Sequence, residues 1–179
     1  MARNKNLRNQ IAIAVLIGIA SVLHVVEGLV PPMPVPGAKL GLANAATLIG
    51  LRTIGFGAAV GISLARSLLG GLFGGSLLGP AFLMSFTGAV ASALSMGIAS
   101  KLKKLGSNNI FVSVIGAITH SIAQIIVAAN IINHSGIWFY LPILLGLSML
   151  TGVFVGLVCE KVLTLLPGAL SADSNNCRD

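Results

Sequence analysis

Most of the charge in this chain of 179 residues falls in a few short clusters, and the stretches between them are apolar almost from end to end. Only 8% of the residues are charged against 55% hydrophobic, the balance of a polytopic helical membrane protein rather than of a soluble domain. A hydrocarbon core of roughly 30 Å takes about 20 apolar residues per crossing helix, so the length admits about six crossings joined by short loops. The pattern predicts an all-α bundle with spans at Ile11 to Val30, Ala38 to Leu51, Ile54 to Leu69, Pro80 to Ser100, Ile110 to Ile132 and Trp138 to Leu163. The second and third are short, which predicts an uneven bundle. One membrane domain over 11–165 then lies between a basic segment, 1–10, and a polar tail, 166–179.

The basic clusters set the orientation. Arg3, Lys5 and Arg8 precede the first span, Arg52 joins the second to the third, Lys101, Lys103 and Lys104 join the fourth to the fifth, and Lys161 closes the sixth. Six spans put all four clusters on one side, and the positive-inside rule makes that side, with both termini, cytoplasmic. Trp138, Phe139 and Tyr140 then start the sixth span at the opposite interface, where an aromatic belt is expected. No small-residue cleavage site follows the first apolar stretch before His24 and Glu27, so it reads as an anchor rather than a signal peptide. These features suit a prokaryotic inner membrane. The net charge of +7 does not indicate nucleic acid, because its clusters are juxtamembrane and no aromatics interleave with them. Cys159 and Cys177 lack metal-ligand spacing, and no metal site or disulfide is expected.

The polar residues that break this charge rule are Glu27, Lys39, Arg66 and His134, and more deeply His24, Asn44, His120, Gln124 and Asn130. All map to the outer half of the bundle or its middle, which predicts a cavity open outward. A cation near the centre of a span costs about 2.5–3.5 kcal/mol on insertion scales, so such groups face a bundle interior or water. Lys39 and Arg66 make an anion clamp; alternatively Lys39 snorkels to the headgroups and Arg66 pairs with Glu27. On the fifth span His120 and Gln124 lie one turn apart on one face, with His134 near that stripe if the helix continues. That face serves either a ligand or interhelical hydrogen bonds.

Small residues recur every four positions at Gly57, Gly61 and Ala65, at Ser85, Ala89, Ala93 and Gly97, at Gly152 and Gly156, and at Ala14 and Gly18. This spacing predicts close helix packing. The glycine-dense run from Gly70 to Pro80 reads as a mobile outer loop on the same side as the stiff Pro31-Pro32-Met33-Pro34 segment.

Three segments carry a family resemblance: Pro34 to Asn44 (PVPGAKLGLAN), Arg66 with the glycine-rich stretch after it, and Gly116 to Gln124 (GAITHSIAQ). Together they resemble the Gx transporter family, whose members are often labelled component I of heptaprenyl diphosphate synthase. That family is similar in turn to the substrate-binding S components of energy-coupling factor (ECF) transporters. The resemblance implies a six-helix S-component-like bundle with an outer pocket built by Lys39, Asn44, Arg66, His120 and Gln124. It also implies a face at Ala14 and Gly18 that meets a transmembrane coupling protein carrying ABC ATPases. Ser121 departs from the asparagine expected after the span-five histidine.

Three classes of function follow. The first is a solute-capture subunit that takes a small anionic or polar-headed molecule from outside; having no ATPase motif, it relies on partners for energy. The second is an accessory role in polyprenyl diphosphate synthesis. The chain cannot catalyse prenyl elongation alone, since its only aspartates are Asp173 and Asp179 in the tail and magnesium diphosphate needs clustered carboxylates. The third is a partner in quinone- or flavin-linked electron transfer. No catalytic residue and no resident cofactor is expected, and the chain reads as a non-enzyme.

Overall fold

The computed structural model describes residues 2–29, 41–75, 77–103, 105–133 and 135–165. Among the described residues the chain forms helices α1 (Ala2–Leu29), α2 (Ala43–Thr53), α3 (Phe56–Phe73), α4 (Pro80–Ser100), α5 (Asn109–Ile132) and α6 (Leu141–Leu165), with a 3-10 turn at Ser135–Tyr140. Five of these segments are long and apolar enough to cross a membrane: Asn6–Gly28, Phe56–Phe73, Pro80–Ser100, Asn109–Ile132 and Gly136–Leu165.

The expected second span, Ala38 to Leu51, overlaps α2, which begins at Ala43; positions 38–40 lie outside the described residues. The α2 helix has 11 residues, a length of about 16 Å and about half of a hydrocarbon core. Gly41, in the left-handed region at φ +70°, breaks the helical backbone just ahead of α2. Ten of the eleven α2 residues are buried, and α2 packs against each of the other five helices. It is an internal pin rather than a wall. Gly55, at φ +124°, then reverses the chain into α3.

Other helix ends have equally local causes. Pro80 stands in the first turn of α4, where its missing N–H costs nothing. The Asn108 side chain caps α5 by accepting from the amides of Ile110 and Phe111 at 2.9 and 3.2 Å. Asn133, left-handed at φ +56°, ends it. The expected loop at 70–80 is shorter than predicted, since α3 runs on to Phe73 and buries Gly70 and Gly71.

Side-chain register shows how the helices run. Gly71 lies on Phe82 and Gly97 on Phe56, so α3 and α4 are antiparallel; Met96 against Gly116, and Gly88 against His120, do the same for α4 and α5. Gly156 on Ile110, with Ser121 beside Ser148, makes α5 and α6 antiparallel. His24 meets Gly70 while Leu16 reaches Gly50, so α1 rises alongside α3. The start of α1, the α2–α3 turn, the α4–α5 loop and the end of α6 therefore gather at one end. Arg8, Arg52, Lys101, Lys103 and Lys161 are all there. Arg52 ties that end together, donating from Nε to Asn109 Oδ1 at 2.7 Å and from Nη2 to the Gly106 carbonyl at 2.6 Å. The apolar core, including Leu16, Leu48, Ile62, Met96, Val112 and Cys159, fills the half of the bundle nearer this end. Cys159 is a buried free thiol within it, and Cys177 lies outside the described residues.

The small-residue stripes divide into two kinds. Ser85, Ala89, Ala93 and Gly97 are buried, and Gly152 and Gly156 sit against the α5 backbone, as packing seams should. Gly57 and Gly61 do not: they are exposed, with no atom near where a Cβ would stand. Ala14 and Gly18 are also exposed, on the outer face of α1 beside Ile11, Val15, Ile19 and Val22.

A Cβ at position 156 would lie 2.6 Å from the Ile110 Cα, so backbone rather than a flexible side chain must yield. Gly156→Val is expected to destabilise by about 1–3 kcal/mol and Gly61→Ala to stay within about 0.5 kcal/mol of the parent. Thermal unfolding of both variants in one detergent measures the contrast.

Candidate functional site

Away from the basic end, polar side chains from all six helices converge on one cavity. From α1 come His24 and Glu27, from α2 and its entry Asn44 and Gly41, and from α3 Arg66. The other wall is Ser85 of α4, Ala117, His120, Ser121 and Gln124 of α5, and Ser148 and Thr151 of α6. Four of the five residues expected to form a pocket, Asn44, Arg66, His120 and Gln124, are thus brought together. The fifth, Lys39, lies outside the described residues, as do His134 and the Pro31–Pro34 segment.

Arg66 is the centre of the arrangement. It is 2% exposed in the middle of α3, and its Nη2 donates to Asn44 Oδ1 at 2.6 Å. Its Nε is buried with no hydrogen-bond partner among the described residues, although a buried N–H left unmet costs about 1–3 kcal/mol. The Glu27 carboxylate borders the same cavity and acts electrostatically on the guanidinium. Its Oε1 also accepts from the Leu42 amide, tying the end of α1 to the entry of α2.

Both histidines are seated on glycines. The His24 ring fills the space a Cβ on Gly70 would take, and its Nε2 stands 3.4 Å from Ser85 Oγ. The His120 ring occupies the same kind of socket at Gly88, where an added Cβ would come within 2.9 Å of it. Gln124 is buried one turn further along α5. Ser121, at the position where an asparagine was expected, meets Ser148 hydroxyl to hydroxyl at 2.5 Å, and Ser148 also donates to the Leu144 carbonyl. Asn130 takes no part: it is exposed and donates to the Ile126 carbonyl of its own helix. Because α5 ends at Ile132, the polar stripe does not continue toward position 134.

The polar lining residues outside the five expected to build the pocket are His24, Glu27, Ser85, Ser121, Ser148 and Thr151. His24 and Glu27 carried a signal, as polar groups in an apolar span. Ser85 was masked by its place in a small-residue stripe, and Ser148 and Thr151 by how often isolated hydroxyls occur in membrane helices.

The space inside is small. It offers about 20 Å³ to the centres of water-sized spheres, room for one or two waters, so a larger occupant requires the walls to move. Among the described residues no group of three or more His, Cys, Asp or Glu side chains is placed to hold a metal ion.

Residues 16–162 match the family described as heptaprenyl diphosphate synthase component I. The chain belongs to that family. The match spans every residue that lines the cavity, from His24 to Thr151. Comparison with curated proteins and with solved structures gives no match.

Asn44→Ala removes the acceptor that holds a fully buried guanidinium. The expected loss is about 1–3 kcal/mol, against a near-neutral Asn130→Ala at the exposed end of α5. Thermal unfolding of the two variants, with Asn44→Asp as the variant that keeps an acceptor, checks the assignment.

Proposed function

We propose that this chain is a membrane solute-binding subunit that captures a small anionic or polar-headed molecule and passes it to partner subunits for ATP-driven uptake. The observation that carries the reading is Arg66: a guanidinium buried mid-helix in an apolar bundle, on a cavity that all six helices supply with polar groups. Ionisable groups at such depth face water or a ligand, and convergent polar side chains in a concave site fix a ligand's orientation.

In this reading the chain crosses the membrane six times, one of the passages including α2. The basic end is cytoplasmic, both termini included, and the cavity belongs to the outer half of a cell membrane. Arg66 neutralises the ligand's anionic group, Asn44 holds Arg66 in place, and His120 and Gln124 bind the remaining polar atoms. Lys39, which lies outside the described residues, is the expected second cation. The exposed Ala14 and Gly18 on α1 allow close approach by a transmembrane coupling protein, which carries ABC ATPases as in ECF transporters. The chain itself is not an enzyme in this account.

A second reading rests on the family's description, which names a synthase component. It makes the chain an accessory that changes the rate or product length of a soluble prenyltransferase.

Purification of the tagged chain from its host membranes in mild detergent separates the two. Recovery of a coupling protein with a pair of ATPases is expected; recovery of a prenyltransferase without ATPases would promote the accessory role. Removing a buried charge partner costs about 2–5 kcal/mol, so Arg66→Gln should reduce uptake of the captured solute by at least about 30-fold. Unchanged uptake in that variant would remove the site from consideration.

A further inference from the structure

Three fully buried hydroxyls have no hydrogen-bond partner among the described residues: Thr47 of α2, Ser92 of α4 and Ser113 of α5. A buried hydroxyl left unmet costs stability. A serine or threonine in a helix normally escapes that cost by bonding to its own backbone, as Thr53, Ser67, Thr119 and Ser148 do, each donating to the carbonyl four residues back. Thr47, Ser92 and Ser113 forgo that bond.

Two of the three stand one turn nearer the basic end than residues of the cavity. Thr47 follows Asn44 by three positions on α2, and Ser92 follows Gly88, the seat of the His120 ring, by four positions on α4. Register puts both at nearly the same depth. The approaches of Asn44 to Arg66 and of Gly50 to Ile62 bracket Thr47 opposite the 63–65 stretch of α3. Ser63 in turn donates to the Ala89 carbonyl at 2.8 Å, and Ala89 is three residues, about 4.5 Å, along α4 from Ser92. The α2 and α4 helices pack against each other. On the inward face of α4, the His120 ring at Gly88 stands between Ser85, on the cavity wall, and Ser92. Ser113 is set apart, because Gly116 separates it from His120 along α5 and Met96 fills the space beside Gly116.

We infer that the cavity continues one turn inward into a second subsite, floored by Thr47 and Ser92, that takes a hydroxyl-sized hydrogen-bonding group. A hydroxyl both donates and accepts, so this pair suits a group that does the same. The open space in the cavity, room for one or two waters, sets the size: the group is water itself or one hydroxyl of a larger solute. Occupation by water needs no capture role, whereas occupation by a solute rests on the capture reading. In both cases the partner of these two side chains comes from the cavity instead of their own helices.

Thr47→Val, Ser92→Ala and the double variant remove the two hydroxyls with little change of size. Thr47→Ser keeps one, and Ser113→Ala removes the hydroxyl beyond Met96. Each full chain is placed in lipid nanodiscs, and its thermal unfolding is followed as purified and after addition of a small-molecule extract of host cells. Met96, fully buried and one turn from Ser92, is followed by hydroxyl-radical footprinting, which marks an enclosed side chain where bound water lies beside it. With water in the subsite, Thr47→Val and Ser92→Ala melt below wild type and Met96 oxidation falls several-fold in the double variant. Thr47→Ser then matches wild type, and Ser113→Ala melts no lower than wild type. With a solute hydroxyl in the subsite, Thr47→Val and Ser92→Ala melt above wild type as purified, because an unmet hydroxyl has gone, and lose the upward shift that the extract gives wild type. Variants that melt at or above wild type and respond to the extract as wild type does overturn the subsite; a shift common to all of them leaves the capture reading standing. Lower melting with Met96 oxidation unchanged is lost packing alone, and also overturns it. An equal loss in Ser113→Ala removes Thr47 and Ser92 as its floor.

Discussion

A guanidinium deep in an apolar bundle keeps its charge and has to be met by polar groups, and the organisation of this protein follows from how Arg66 is met. Its partner, Asn44, sits at the first turn of α2. That requires a helix that begins inside the bundle instead of at its surface. A full-length second span would place position 44 well along a wall. An 11-residue helix entered through a left-handed glycine places it at the cavity. The same short helix reaches the opposite end of the molecule, where Arg52 holds the α4–α5 loop and the start of α5. Polar chemistry at one end and basic anchoring at the other are joined by one rod of about three turns, buried on nearly all sides.

This division also explains why the core and the cavity do not compete for space. Apolar side chains fill the half near the basic end, where Leu48, Ile62, Met96 and Val112 are fully enclosed. In the other half the close helix contacts are made through glycines and serines, and the polar side chains occupy what remains. Membrane bundles lack a strong hydrophobic drive between helices and associate through close packing and hydrogen bonds, so this distribution suits the solvent.

Much of the fold is legible in the sequence because the membrane imposes length and composition on each crossing helix. The spans at Pro80 to Ser100 and Ile110 to Ile132 lie within a residue of their observed limits, and in the structure Pro80 and the Asn108 cap stand at their starts. What escaped was decided by three-dimensional context. The second span was read as short, but where α2 begins was hidden because Gly41 has no side chain to announce its left-handed backbone. The stripe at Gly57 and Gly61 matched a packing spacing, but which face of α3 turns inward depends on the rest of the bundle. Polar residues in apolar spans identified Asn44, Arg66, His120 and Gln124, which do meet in one cavity. The hydroxyls at Ser85, Ser121, Ser148 and Thr151 did not stand out as cavity residues, because serine and threonine in a helix of this kind can also bond to their own backbone, as Ser148 does.

The glycine sockets behind the two histidines carry a different kind of consequence. Gly70 and Gly88 are not among the residues that line the cavity, yet each sets how far an imidazole ring can retreat from it. A methyl group at either position would drive the ring forward and reshape the cavity without altering a single lining residue. Related chains could therefore diverge in what they accept through changes one helical turn away from the lining residues, where an inspection of the binding surface alone would find the two sites identical.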